Sequence, residues 1–162
     1  MEVVEGLATV DDIDNVLDQV SEIGADTGST VQVFDARYIV GRRHLERAVT
    51  LAERERARGE AIARDPAVEI LLYAAGRRQI TRALEIGLSP GTSPVVAIAV
   101  GGEERAAARR LATLFDPAET LGQYDESRVC EFFEISSRER KATDGTIADI
   151  VHERVALLVV ER

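Results

Sequence analysis

The sequence predicts a single α/β domain, a mixed β-sheet covered by helices. Three observations point there. Short runs with strand alternation are interleaved with apolar residues at helical spacing. One run, "VVAIAV" from Val95 to Val100, is apolar throughout and reads as a strand buried on both faces. The 162 residues are 45% apolar and contain no internal repeat, low-complexity segment or linker, so one aliphatic core spans 1–162. A chain of that length buries enough surface to need no disulfide or metal staple.

The elements follow in order. "EVVEGLATV" opens as a strand, and Thr9 with Asp12 has the spacing of a capping box. Ile13, Val16, Leu17, Val20 and Ile23 recur at helical spacing, with Gly24 standing where that helix would stop. "GADTGS" is a turn and "TVQVFDA" a second strand, which "RYIV" extends or leaves. From Arg42 to Gly59, Leu45, Ala48, Val49 and Ala52 form one stripe, opposite a solvated mixed-charge "ERERAR" face.

Asp65 as cap and Pro66 at the first helical position start the next helix. Gly76 breaks or closely packs it, and "RRQITRALEIGL" continues as another. The turn cluster "LSPGTSP" leads into the Val95–Val100 strand, then a Gly101–Gly102 turn. The helix after it points Ala108, Leu111, Ala112 and Phe115 inward. "DPAETLGQYDESR" is a polar connection and "VCEFFEIS" another strand. Ser136 and Glu139 form a second capping box, and "TIADIVHERVALLVVER" is a helix running into a terminal strand.

Acids outnumber bases 29 to 20, and Lys141 is the one lysine beside nineteen arginines. A lysine-poor, acidic surface fits a cytoplasm of very high salt, as in a halophile, and the Arg bias also fits a GC-rich genome. At about 1 M salt the Debye length is about 3 Å. A net charge of -9 would then repel RNA only at contact range. The single Cys130 allows no internal disulfide, which fits a reducing cytoplasm. The acidic start "MEVVEG" lacks the form of a signal peptide, and no apolar run reaches the length of a membrane span.

His44, Cys130 and His152 are the residues that enzyme chemistry would use first. Cys130 lies in an apolar run, where a free Cys behaves as a small hydrophobe. The two histidines lack ligand spacing for a metal. "VAIAVGGEE" has the outline of a phosphate turn but no G-x-G-x-x-G and no Walker Lys, and it places Glu103 and Glu104 where the phosphate would lie. The expectation is no catalytic residue, no metal and no cofactor.

Arginines supply the remaining signal. Arg77, Arg78 and Arg82 follow Gly76, with Gln79 adding an amide that both donates and accepts. Arg78 and Arg82 share a helix face, whereas Arg77 and Arg78 do not. Arg37, Arg42, Arg43 and His44 form a second group. If the two meet they make an Arg-rich edge suited to bidentate phosphate or carboxylate contacts. The bland alternative is a solvated helix face.

"DARYIVGRRHLERAV", "EILLYAAGRRQITRALEIGL" and "IVHERVALLVVER" resemble the small kinase-binding subunit of the KEOPS complex, the TPRKB-like family in its archaeal form. The resemblance runs from about Val31 to the C-terminus and is loosest over Pro94 to Tyr124. Glu69, Gly76, Arg78, Gln79 and Ile80 match the family's form, and Arg42, Arg43 and His44 match its basic-basic-His trio. The resemblance implies a non-catalytic subunit that binds the complex's small atypical kinase/ATPase and, through it, the transferase that installs threonylcarbamoyladenosine on tRNA. It also implies recruitment of tRNA by the 3′ CCA end. On that reading Arg42, Arg43, His44, Glu69, Gly76, Arg77, Arg78, Gln79, Ile80 and Arg82 are tRNA- or partner-binding residues, with Glu69 pairing one of the arginines across a bend at Gly76. Single-stranded RNA is usually held on aromatic platforms, and with 4% aromatic residues arginine planes would have to supply the stacking. Two other readings stay open: a protein-only regulator of the kinase, and a stand-alone enzyme using His44 or Cys130.

Overall fold

In the computed structural model, which describes residues 1–160, strands β1 (Glu2–Val10), β2 (Thr30–Asp35), β3 (Gly91–Val100) and β4 (Asp116–Pro117) pair in the order β2-β3-β1-β4. The α/β class and the helix-covered sheet are as the sequence predicts. The sheet itself is antiparallel at every described pairing, not mixed. β1 and β2 do run the same way, joined through helix α1 (Ile13–Thr27). The later strand β3 inserts between them, however, and pairs antiparallel with both.

Strand alternation divides the core between the two faces. Val95, Ala97 and Ala99 of β3 join Val31 and Val33 of β2 and Ala8 and Val10 of β1. Val20 and Ile23 of α1, with Ala107 and Leu111 of α5 (Glu104–Ala112), complete that cluster. Val96 and Ile98 join Phe34 on the opposite face. There they meet helices α2 (Arg42–Ala57), α3 (Pro66–Ala75), α6 (Glu126–Phe132) and α8 (Ile147–Val160). α3 packs on β2, α2 and α8 together, and every residue from Glu69 to Ala75 is buried. A helix so enclosed must be apolar all round, as "ILLYAA" is.

Several boundaries differ from expectation for local reasons. Asp12 caps α1 itself, accepting from the Asp14 and Asn15 amides at 3.1 and 3.3 Å, while Thr9 stays in β1 and pairs its hydroxyl with that of Thr92. α1 runs past Gly24 to Thr27. Gly24 is there for space, since a Cβ would lie 3.0 Å from the Ser29 carbonyl oxygen. β3 begins at Gly91, within the expected turn cluster. "RRQITRALEIGL" forms one turn, α4 (Ile80–Ala83), then a 3₁₀ turn at Leu84–Ile86. α5 buries Ala107 in place of Ala108, and Ala112 is exposed.

"VCEFFEIS" is helical, not a strand. Asp125 caps α6 by accepting from the Arg128 amide (3.1 Å), and Val129, Phe132 and Phe133 bury one helical face. Ser136 caps α7 (Ser137–Ala142) as expected, at 3.0 Å from the Glu139 amide. A fully reciprocal capping box, which sequence reading missed, starts α8. Thr146 Oγ1 accepts from the Asp149 amide, and Asp149 accepts from the Thr146 amide. α8 continues as helix to Val160, where a terminal strand was expected, and the last two residues of that expected strand lie outside the described residues. The "ERERAR" face is not wholly solvated, because Glu55 is buried beside Arg54 and Arg58 at 3.7 and 3.4 Å. Among the described residues no helix is long and apolar enough to cross a membrane.

Candidate functional site

α2 begins directly after Gly41, without a side-chain cap. Its third residue, His44, is fully buried. The ring accepts from the Val40 amide at Nδ1 (3.2 Å) and donates from Nε2 to the Ala74 carbonyl (2.7 Å). That carbonyl belongs to the last turn of α3, where helix oxygens have no intrahelical donor. Burial pushes the imidazole down to about 4, with the Ala74 bond opposing and His152 adding to the shift. His44 is therefore a neutral strut between two helix ends. The expectation that it offers a hydrogen bond to a partner is corrected: burial leaves it no exposed polar atom.

α3 ends at Gly76, whose φ of 61° closes the helix in the left-handed region. A Cβ there would also lie 3.3 Å from the Arg154 carbonyl oxygen of α8. The chain then turns Arg77 inward. Its Nη2 donates to the Phe132 carbonyl, its Cζ lies 5.1 Å from the Phe132 ring centroid, and only 19% of the side chain is exposed. Arg154 donates from Nε to the Phe133 carbonyl (3.1 Å) and from Nη2 to Glu139 (2.7 Å) and to the Glu134 carbonyl (3.4 Å). Two arginines, one from the turn after α3 and one from α8, thus satisfy the C-terminal carbonyls of α6, where a cation is favoured. Arg77 is a cap, not a surface contact.

Glu69 is corrected as well. It lies buried in the first turn of α3, away from Gly76, and both carboxylate oxygens accept from the Ile62 amide at 2.9 and 3.0 Å. Its cation is Arg56 at 3.8 Å, not an arginine beyond Gly76. Arg37 is held by Asp35 through bonds of 2.9 and 2.7 Å, and that hydrogen-bonded carboxylate raises its pKa.

The two basic segments approach one another through rings. Tyr38 lies edge-on to Phe132 at 5.7 Å, His44 to Phe133 at 6.0 Å, and Arg82 stands 5.8 Å from the Phe132 centroid. Phe132 and Phe133 are the hinge of this cluster, and reading them as strand residues hid it. The Asp125 cap and the Val129–Phe132–Phe133 spacing were the signals available. Arg82 is half-buried and paired to Glu85 at 3.3 Å. Arg42, exposed, lies 3.6 Å from Glu46. Arg43 is exposed on α2, and Arg78 and Gln79 are exposed after the Gly76 turn. Arg78 has no ion pair or hydrogen bond among the described residues. Beside it Ile80 and Leu84 are 48% and 56% exposed.

Cys130 is half-buried against the core. Among the described residues no group of three His, Cys, Asp or Glu could hold a metal. At the Gly101 turn the Glu104 carboxylate accepts from the Gly101 amide (2.6 Å) and binds the Met1 amine (3.0 Å), so an acid sits where a phosphate would have to lie. The Gly101 bond, first, and the amine hold that carboxyl below its ordinary range.

The helix ends are locked by side chains, while Arg78, Gln79, Ile80 and Leu84 stay exposed after the Gly76 turn. The chain belongs to the family described as kinase binding protein CGI-121, which matches it over residues 9–158. Among curated proteins none matches the chain.

Proposed function

We propose that residues 1–162 are one domain acting in the cytoplasm as the non-catalytic, kinase-binding subunit of the KEOPS complex. In this role the chain docks the complex's small kinase/ATPase and recruits tRNA by its 3′ CCA end for threonylcarbamoyladenosine formation. The observation that carries the reading is the strip Arg78–Gln79–Ile80–Leu84. Two large aliphatic side chains stand exposed beside an amide and an arginine with no ion pair among the described residues, as in an interface with an apolar centre and a polar rim. Family membership over residues 9–158 supports a kinase as the partner, and we assign it to that strip. The exposed Arg42 and Arg43 at the start of α2 supply contact-range cations for RNA phosphate.

The test measures two affinities separately. Ile80→Glu with Leu84→Arg is expected to weaken binding of the purified partner kinase at least tenfold and leave tRNA binding in place. Arg42→Ala with Arg43→Ala is expected to do the reverse, and intact tRNA is expected to outbind tRNA trimmed of its CCA. Kinase binding that survives both sets would move the docking surface elsewhere. Absence of any tRNA binding would leave a protein-only regulator.

A further inference from the structure

Most arginines on α2 have a carboxylate. Arg42 pairs with Glu46, Arg54 with Glu55, and Arg56 with Glu69. Arg43 and Arg47 do not: both are exposed, and neither has an ion pair or hydrogen bond among the described residues. They lie one helical turn apart on the same face, so they repel each other. Asp149 of α8 is the acid whose carboxyl feels Arg43, but among the described residues it makes no ion pair with either arginine.

The third member comes from α8, which packs along α2. His152 stands edge-on to His44 at 6.4 Å, and both its ring nitrogens are buried without a hydrogen-bond partner among the described residues. The groups acting on it are Arg43, Arg47 and the His44 ring from α2, and Asp149 from its own helix. Burial first, then Arg43, with Arg47 adding and Asp149 opposing, holds its pKa below the ordinary histidine value.

We propose that Arg43, Arg47 and His152 form a phosphate-binding site at the seam of α2 and α8, and that ligand and proton bind there together. The physical link is direct. A dianion or a phosphodiester held by the two guanidiniums cancels the share of the lowering at His152 that Arg43 and Arg47 contribute, and burial continues to oppose protonation. Protonation of His152 in turn adds a third cation beside the ligand. By linkage each event favours the other equally. The ligand this chemistry fits is a backbone phosphate of an RNA strand, a choice that rests on the tRNA-recruiting role proposed above. Arg47 and His152 extend that contact from the start of α2 onto α8.

Only His44 and His152 are present, so ring resonances of the full chain report each histidine separately by NMR. The titration would be run in chloride, in sulfate at equal ionic strength, and with a short single-stranded RNA ending in CCA. Sulfate serves as the oxyanion because, unlike phosphate, it does not itself titrate in this range. The expected result is a His152 midpoint about half to one unit higher in sulfate and with RNA than in chloride, with His44 unmoved. Arg43→Ala with Arg47→Ala should raise the midpoint in chloride and abolish the further rise. RNA affinity should tighten several-fold from pH 8 to pH 5.5, and His152→Gln should flatten that dependence.

A His152 midpoint that neither sulfate nor RNA moves beyond the chloride value overturns the site. RNA binding, read by anisotropy, without movement of His152 overturns the site and leaves the recruiting role standing. A shift with sulfate but no RNA binding keeps the oxyanion site and removes the RNA reading.

Discussion

Arg77 and Arg154 close the same helix end from two directions. The first donates to the Phe132 carbonyl and the second to the Phe133 carbonyl at 3.1 Å. Charge-assisted bonds to carbonyls that have no other donor are worth about 1.5–3 kcal/mol each. Arg77→Ala is therefore expected to lower stability by about 2–3 kcal/mol, with Phe132 losing its stacked cation as well. Arg78→Ala, one position on and exposed, should stay within about 0.5 kcal/mol. Chemical denaturation of both variants checks this, and equal losses would return Arg77 to the surface.

Gly76 holds the turn that separates these two neighbours. An alanine there meets a left-handed φ of 61° and a carbonyl oxygen 3.3 Å from its Cβ. The conformational cost alone is about 1–2 kcal/mol. Because the obstructing oxygen belongs to α8, Gly76→Ala should also loosen Arg154. Faster amide exchange in α8 and at Glu134 is the expected signature, and a variant as stable as the parent with unchanged exchange would contradict it.

Glu134 presents the opposite case, a non-glycine residue at φ 57°. Its side chain is 75% exposed and 3.9 Å from Arg77, a geometry that contributes little. The residue's conformational strain should then outweigh its contact. Glu134→Gly is expected to raise stability by about 0.5 kcal/mol. A fall in the denaturation midpoint would mean that the exposed ion pair matters more than the backbone.

The sequence made the scaffold legible where one signal dominated. The uninterrupted "VVAIAV" run marked a strand buried on both faces, and Asp65–Pro66 marked the start of α3, whose cap bond is 2.8 Å. It failed where two signals competed. "VCEFFEIS" has strand composition, yet Asp125 and the spacing of Val129 with Phe132 and Phe133 make it a helix. Strand pairing was not legible either, because β3 reaches its place between β1 and β2 only after five intervening helical or 3₁₀ segments beyond β2. At the candidate site, residue type was a poor guide to exposure. Three neighbouring polar residues, Gly76's successor Arg77, then Arg78 and Gln79, look alike in sequence, and only the left-handed turn sends the first inward. His44 and Glu69, expected as tRNA- or partner-binding residues, are instead buried with their bonds satisfied inside the fold.

That burial gives His44 a measurable pH dependence. Its folded pKa, about 4, lies below the ordinary value of 6.5 because desolvation disfavours the imidazolium. Above 6.5 both states are neutral at this group and it adds no pH dependence. Between 6.5 and about 4 the unfolded chain binds a proton that the folded chain refuses, so stability falls as pH falls through that window. The full loss is at most about 3 kcal/mol. Stability measured from pH 7.5 down to 4.5 should decline over this range, and the His44 ring resonance should hold its neutral position down to about pH 5 and begin to move only below that. His44→Gln should lose stability at neutral pH yet show a flatter decline. A His44 ring that protonates near 6.5 in the folded chain would remove the strut between α2 and α3 from the account.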